Sequence, residues 1–120
     1  MGLGRLQIID KSEKRWRDYL RILVGQVASA EPDAIAYLFG SFLQDDFNAE
    51  SDIDLAVILP KGIDKQSFLT KWRQFPAFVD WPFDLVVFER EQFEKKKNVG
   101  GVAFEIREDG VELYPTWRLT

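Results

Sequence analysis

Leu38-Phe39-Gly40-Ser41, ten residues, then Asp52-Ile53-Asp54-Leu55-Ala56-Val57-Ile58-Leu59 is the stretch of this 120-residue chain that decides its fold. Ile35–Phe39 is a short apolar run that ends at Gly40-Ser41, and Asp52–Leu59 is a second apolar run that opens on two acids. Both runs have strand length and sit between turn residues. Side chains alternate across a strand, so positions 52 and 54 share a face, with Cα atoms roughly 6.5–7 Å apart. Two carboxylates side by side on an apolar strand repel each other and lose hydration, and a divalent cation is the simplest group to offset both costs.

Further acids and turns extend the pattern. Phe83–Phe88 reads as a third strand and carries Asp84 near its start. Neighbouring strands lie about 4.8 Å apart, so three carboxylates from two strands can gather at one end of a sheet. Such a set can hold two magnesium ions of the kind that clamp the attacking and leaving oxygens of a phosphoryl transfer. The Gly40-Ser41 turn presents backbone N–H groups to an anion, with no Cβ at position 40 to block a phosphate. The candidate site is therefore Asp52, Asp54 and Asp84 as metal ligands, with Gly40 and Ser41 for a nucleotide's phosphates.

Composition narrows the chemistry. The chain has no cysteine and no histidine, which removes disulfides, thiolate metal sites, Ser-His and Cys-His catalysis and the commonest zinc ligands. Any metal is then held by oxygen, which favours magnesium or manganese. A net charge of −4 argues against a non-specific nucleic-acid binder. The N-terminus has no signal-peptide pattern and no apolar run approaches membrane-spanning length, so the expected location is the cytoplasm.

The remaining elements read as one α/β domain spanning residues 1–120. Trp16, Tyr19, Leu20, Leu23 and Val27 recur at helical spacing between about residues 10 and 29, and Asp10 with Glu13 resembles a capping box. Glu31-Pro32-Asp33 breaks that helix. A short helix is expected from Phe42 to about Phe47, a second amphipathic helix from Asp64 to Phe75, and a charged helix over Glu89–Asn98. Val102–Ile106 and Val111–Tyr114 flank Arg107-Glu108-Asp109-Gly110, whose Asp-Gly suggests a hairpin turn. The expected architecture is a mixed β-sheet flanked by helices, with a C-terminal hairpin. Trp72, Phe75, Phe78 and Trp81 read as core, Lys95-Lys96-Lys97 as a solvated helix end, and Trp117 as packing on its own domain or docking a partner.

With these residues in hand, the chain resembles the minimal nucleotidyltransferases (MNT domains) of the DNA polymerase beta-like superfamily. Their signature is Gly-Ser, ten residues, Asp-x-Asp, which stands here as Gly40-Ser41 and Asp52-Ile53-Asp54, with Asp84 as the later acid. The segment Ile106–Tyr114 also resembles the closing hairpin of these domains. The resemblance implies a nucleotidyltransferase fold using two Mg2+ ions and ATP. Asp52 and Asp54 would bind both metals, Asp84 would bind the catalytic one and help activate the attacking hydroxyl, and Gly40 and Ser41 would hold the triphosphate. Small standalone members act as antitoxins that transfer AMP to a tyrosine of a HEPN-domain ribonuclease toxin, and that role is the expectation here. Neutralisation of the toxin by binding alone, and nucleotidyl transfer to a small molecule, are the alternatives. The chain departs from the family after Gly-Ser: Phe42-Leu43-Gln44-Asp45-Asp46 stands where a small residue, Arg and Gly are common. Lys61, Lys65 and Arg73 read as solvated charges rather than replacements for that arginine.

Overall fold

The computed structural model describes residues 15–43, 53–74 and 83–118. Helix α1 (Arg15–Ala30) leads into strand β1 (Ile35–Phe39), which passes into a 3-10 turn at Gly40–Leu43. Strand β2 (Ile53–Ile58), helix α2 (Lys65–Trp72) and strand β3 (Phe83–Phe88) follow, then α3 (Arg90–Lys96), α4 (Gly101–Asp109) and β4 (Val111–Tyr114). The four strands form one mixed sheet in the order β3-β2-β1-β4. β2 and β3 run parallel, and β1 is antiparallel to both β2 and β4.

Alternation divides the sheet into two apolar faces. Ala36, Leu38, Ile53, Leu55, Val57 and Val87 point to the side covered by α1 and α2. There Trp16, Leu20, Leu23, Val24 and Val27 supply the inward stripe of α1, at the i, i+4, i+7, i+8, i+11 spacing of one helical face. Phe68 of α2 is only 1% exposed in the same layer. On the opposite side Phe39, Ala56, Ile58 and Phe88 pack against Phe93 of α3 and against Ala103 and Ile106 of α4.

Local hydrogen bonds fix where the elements stop. The Glu31 carboxylate accepts from Asp33 N–H at 3.1 Å, and Tyr114 Oη donates to the Pro32 carbonyl at 2.8 Å, tying the α1–β1 turn to β4. Asp64 caps α2 by accepting from Ser67 N–H at 2.7 Å. Glu89 accepts from Lys65 N–H at 2.9 Å, which joins the start of α2 to the end of β3. Trp117 packs on its own domain, half-buried against the α1 side of the core, with the Arg21 guanidinium 4.4 Å from its ring centre.

The expected C-terminal hairpin is absent. Val102–Ile106 lies inside α4, and β4 pairs with β1 instead of with a preceding strand. Ala103 and Ile106 are the buried pair, three positions apart, and Val102 and Phe104 are exposed; that is helical spacing, not alternation. Asp109-Gly110 ends the helix rather than turning a hairpin: Gly110 N–H donates to the Ile106 carbonyl at 2.8 Å, with φ −66° and ψ 145°. A Cβ at Gly110 would meet that carbonyl oxygen at 2.5 Å, so glycine is needed for the close approach. Helix α2 ends at Trp72 rather than at the expected Phe75, α3 ends at Lys96 rather than Asn98, and the turn after Gly40-Ser41 is the 3-10 segment ending at Leu43. The expected capping box, the rest of the 42–47 helix, and Phe75, Phe78 and Trp81 lie outside the described residues. Trp72 is half-buried against the core. No helix among the described residues is long and apolar enough to cross a membrane.

Candidate active site

Strand register brings the candidate residues to one end of the sheet. β1 runs antiparallel to β2, so the end of β1 lies beside the start of β2, and Phe39 pairs with Asp54. β3 is parallel to β2 and in register with it, so Asp54 pairs with Asp84. Neighbours in register share a face, which puts these two carboxylates on adjacent strands with backbones about 4.8 Å apart. They lie on the α3–α4 side of the sheet, in line with Ala56, Ile58, Val86 and Phe88 further along the strands. Asp54 is half-buried and Asp84 is exposed. One acid is therefore held by the fold and the other faces solvent beside it.

Gly40 closes the near side of Asp54. Its φ of +83° is in the left-handed region, where a β-carbon is unfavourable. A Cβ built there would overlap the Asp54 Oδ2 and stand 3.0 Å from Cγ. The chain thus turns off β1 with its backbone against the carboxylate of β2. Glycine at position 40 serves the turn and the close approach together.

Asp52 lies outside the described residues, as do the side chains of Ser41 and Phe42 and residues 44–50. Among the described residues no group of three acids is placed to hold a metal ion. Those residues do contain the adjacent Asp54 and Asp84, two hard oxygen donors of the type that suits magnesium. Lys61 is exposed just past the far end of β2, away from the two acids, and Arg73 is exposed at the end of α2.

The structure adds two acids that the sequence pattern did not single out. Glu105 and Asp109 of α4, together with Gly40, Leu43 and Val111, line a cavity of about 510 Å³ that opens at the Gly40 turn. Their i, i+4 spacing is the signal that could have found them, but it carries meaning only on a helix, and this segment was expected to be strand and turn.

Residues 27–116 match the protein family described as Polymerase beta, Nucleotidyltransferase. The fold is similar to that of a Sulfolobus solfataricus protein, described as a candidate nucleotidyltransferase and known from a crystal structure at 1.40 Å. The two share 23% identity over 88% of this chain and 90% of that one, with a TM-score of 0.50. No curated protein matches significantly. The family match spans most of the chain and includes Gly40, Ser41 and all three candidate acids, so the chain belongs to the polymerase beta-type nucleotidyltransferase family.

Proposed function

We propose that this protein transfers AMP from ATP to a tyrosine hydroxyl of a HEPN-domain ribonuclease toxin, and so acts as that toxin's antitoxin. The observation that carries the chemistry is the pairing of Asp54 with Asp84 beside Gly40. The family match supports nucleotidyl transfer, and the choice of nucleotide and acceptor is our inference.

In this reaction the acceptor oxygen attacks the α-phosphorus of ATP, the α–β anhydride bond breaks, and pyrophosphate leaves. Asp52, Asp54 and Asp84 would hold Mg2+, which would screen phosphate charge and acidify the attacking hydroxyl. Asp84, the exposed member of the pair, takes the hydroxyl proton. Asp54, half-buried behind Gly40, keeps its carboxylate in a fixed position. The Gly40-Ser41 turn offers backbone N–H groups to the triphosphate, at a place where no side chain stands in the way.

The test is incubation of the protein with α-labelled ATP, Mg2+ and a HEPN-domain protein, the product of the neighbouring gene being the first candidate to try. Label should appear on the partner and disappear with Asp54→Asn or Asp84→Asn. Equal labelling by wild type and variants would refute the assignment. A second possibility is neutralisation by binding alone. It is favoured by Glu105 and Asp109 in the wall of the cavity at Gly40, where acid charge opposes a triphosphate. In that case the Asp52→Asn, Asp54→Asn double variant still protects cells from the toxin.

A further inference from the structure

We propose that the half-open cavity between α3, α4 and the sheet is a second ligand site, for a small organic anion with a compact apolar body and a carboxylate or phosphate group. The cavity measures about 240 Å³. That is the share of about eight water molecules, enough for a ligand of roughly ten non-hydrogen atoms. It lies at the far end of the strands from the paired acids: Ile58 lines it, four residues along β2 from Asp54, or about 13 Å.

Its lining has two parts. Ile35 and Ile58 of the sheet, with Phe93 and Ile106 of the helices, make an apolar floor. Arg90, Lys97, Arg107 and the Tyr37 hydroxyl make the polar part, together with the Glu94 carboxylate. Three cations against one acid is a local excess of positive charge in a chain whose net charge is −4.

Partnering separates the three cations. Lys97 Nζ is 2.6 Å from the Glu94 carboxylate. Arg107 pairs with Glu108 at 2.9 Å, and its Nε donates to the Lys97 carbonyl at 3.2 Å. The Arg90 guanidinium has neither an ion pair nor a hydrogen bond among the described residues, and its Nε is buried. The Tyr37 hydroxyl, too, has no hydrogen-bond partner among those residues. Among the described residues this part-buried guanidinium has no counter-ion in direct contact, the Glu94 carboxylate acting on it only at longer range, and an arriving anion would give it a direct partner. The apolar floor gives the rest of the ligand a place out of water. Glu94 works against an anion, but its charge is engaged by Lys97.

The experiment is a two-dimensional amide NMR titration of the full chain with benzoate, phenyl phosphate and inorganic phosphate, each alone. Benzoate or phenyl phosphate should give saturable shifts at Ile35, Tyr37, Phe93 and Ile106 and leave Gly40 and Asp54 unmoved. The tighter of the two identifies the preferred anionic group. Inorganic phosphate should bind more weakly, because it leaves the floor uncovered. Arg90→Gln should weaken binding about tenfold or more, the loss expected for one charge-assisted contact. Tyr37→Phe gives an independent check and should weaken it about threefold. Absence of saturable shifts with all three probes, unchanged affinity in Arg90→Gln, or inorganic phosphate binding as tightly as phenyl phosphate would each overturn the proposal. Asp54→Asn should leave this binding intact, which separates the outcome from that of the nucleotidyl-transfer test.

Discussion

Gly40 and Asp54 occupy adjoining space that a single methyl group would fill. The Gly40 Cα faces the carboxylate so closely that a built Cβ lies 3.0 Å from Cγ and 3.2 Å from the Asp54 Cβ. Gly40→Ala must therefore displace either the turn or the carboxylate, and it also places a Cβ at φ +83°. We expect a loss of about 1–3 kcal/mol in unfolding free energy and at least a tenfold fall in transfer rate. Chemical denaturation and label transfer on the same preparation check both. A variant as active and as stable as wild type would contradict the role given to the Gly40 backbone.

Glycine matters differently at two other positions. Gly25 sits exposed in the middle of α1, and nothing lies within 4 Å of a Cβ built there. Gly25→Ala should stabilise the protein by about 0.5–1 kcal/mol, because alanine loses less backbone entropy in a helix. Gly110→Ala should cost about 1–3 kcal/mol, because its Cβ would meet the Ile106 carbonyl at 2.5 Å. Denaturation midpoints moving in opposite directions for the two variants would bear this out.

Tyr37 gives the protein an alkaline limit. Burial first, and then the nearby Glu112 carboxylate, push its phenol above the ordinary value of 10.0, while Arg90, Arg118 and Lys97 pull the other way. The folded protein thus keeps this proton more firmly than the unfolded chain does. The contribution is fully present below pH 10 and declines as pH rises from 10 through the folded value. Urea unfolding at a series of pH values should show stability falling less steeply above pH 10 in Tyr37→Phe than in wild type. Identical slopes would remove Tyr37 as a cause.

The strands were legible where local chemistry is unambiguous. Phe83–Phe88 has the expected bounds because turn or charged residues flank an apolar run, and Ile35–Phe39 ends where Gly40 takes a positive φ. Their pairing was legible only in outline. The sequence places Asp84 at the start of a strand, but its register with Asp54 depends on how β2 and β3 align in space. The C-terminal segment was misread because Val102-Ala103-Phe104-Glu105-Ile106 is too short for periodicity to decide, and Asp-Gly fits a helix end as well as a hairpin. That misreading also hid Glu105 and Asp109, whose shared cavity exists only once the segment is helical. Tyr37 of β1 lies far along the chain from Arg90, Lys97 and Arg107, which come from α3, its C-terminal end and α4, and no local pattern groups the four.

The paired carboxylates at the Gly40 end of the sheet are the centre of this account, and a paramagnetic titration reaches them without any acceptor. Substoichiometric Mn2+, added with ATP to isotopically labelled protein, should broaden the amide signals of Gly40, Asp54 and Asp84 before those of other residues, and Asp54→Asn should abolish that selectivity. Broadening that begins instead at Glu89–Glu91, or at Glu105 and Asp109, with the Gly40 and Asp54 signals left sharp, would contradict a metal–nucleotide site at this end of the sheet.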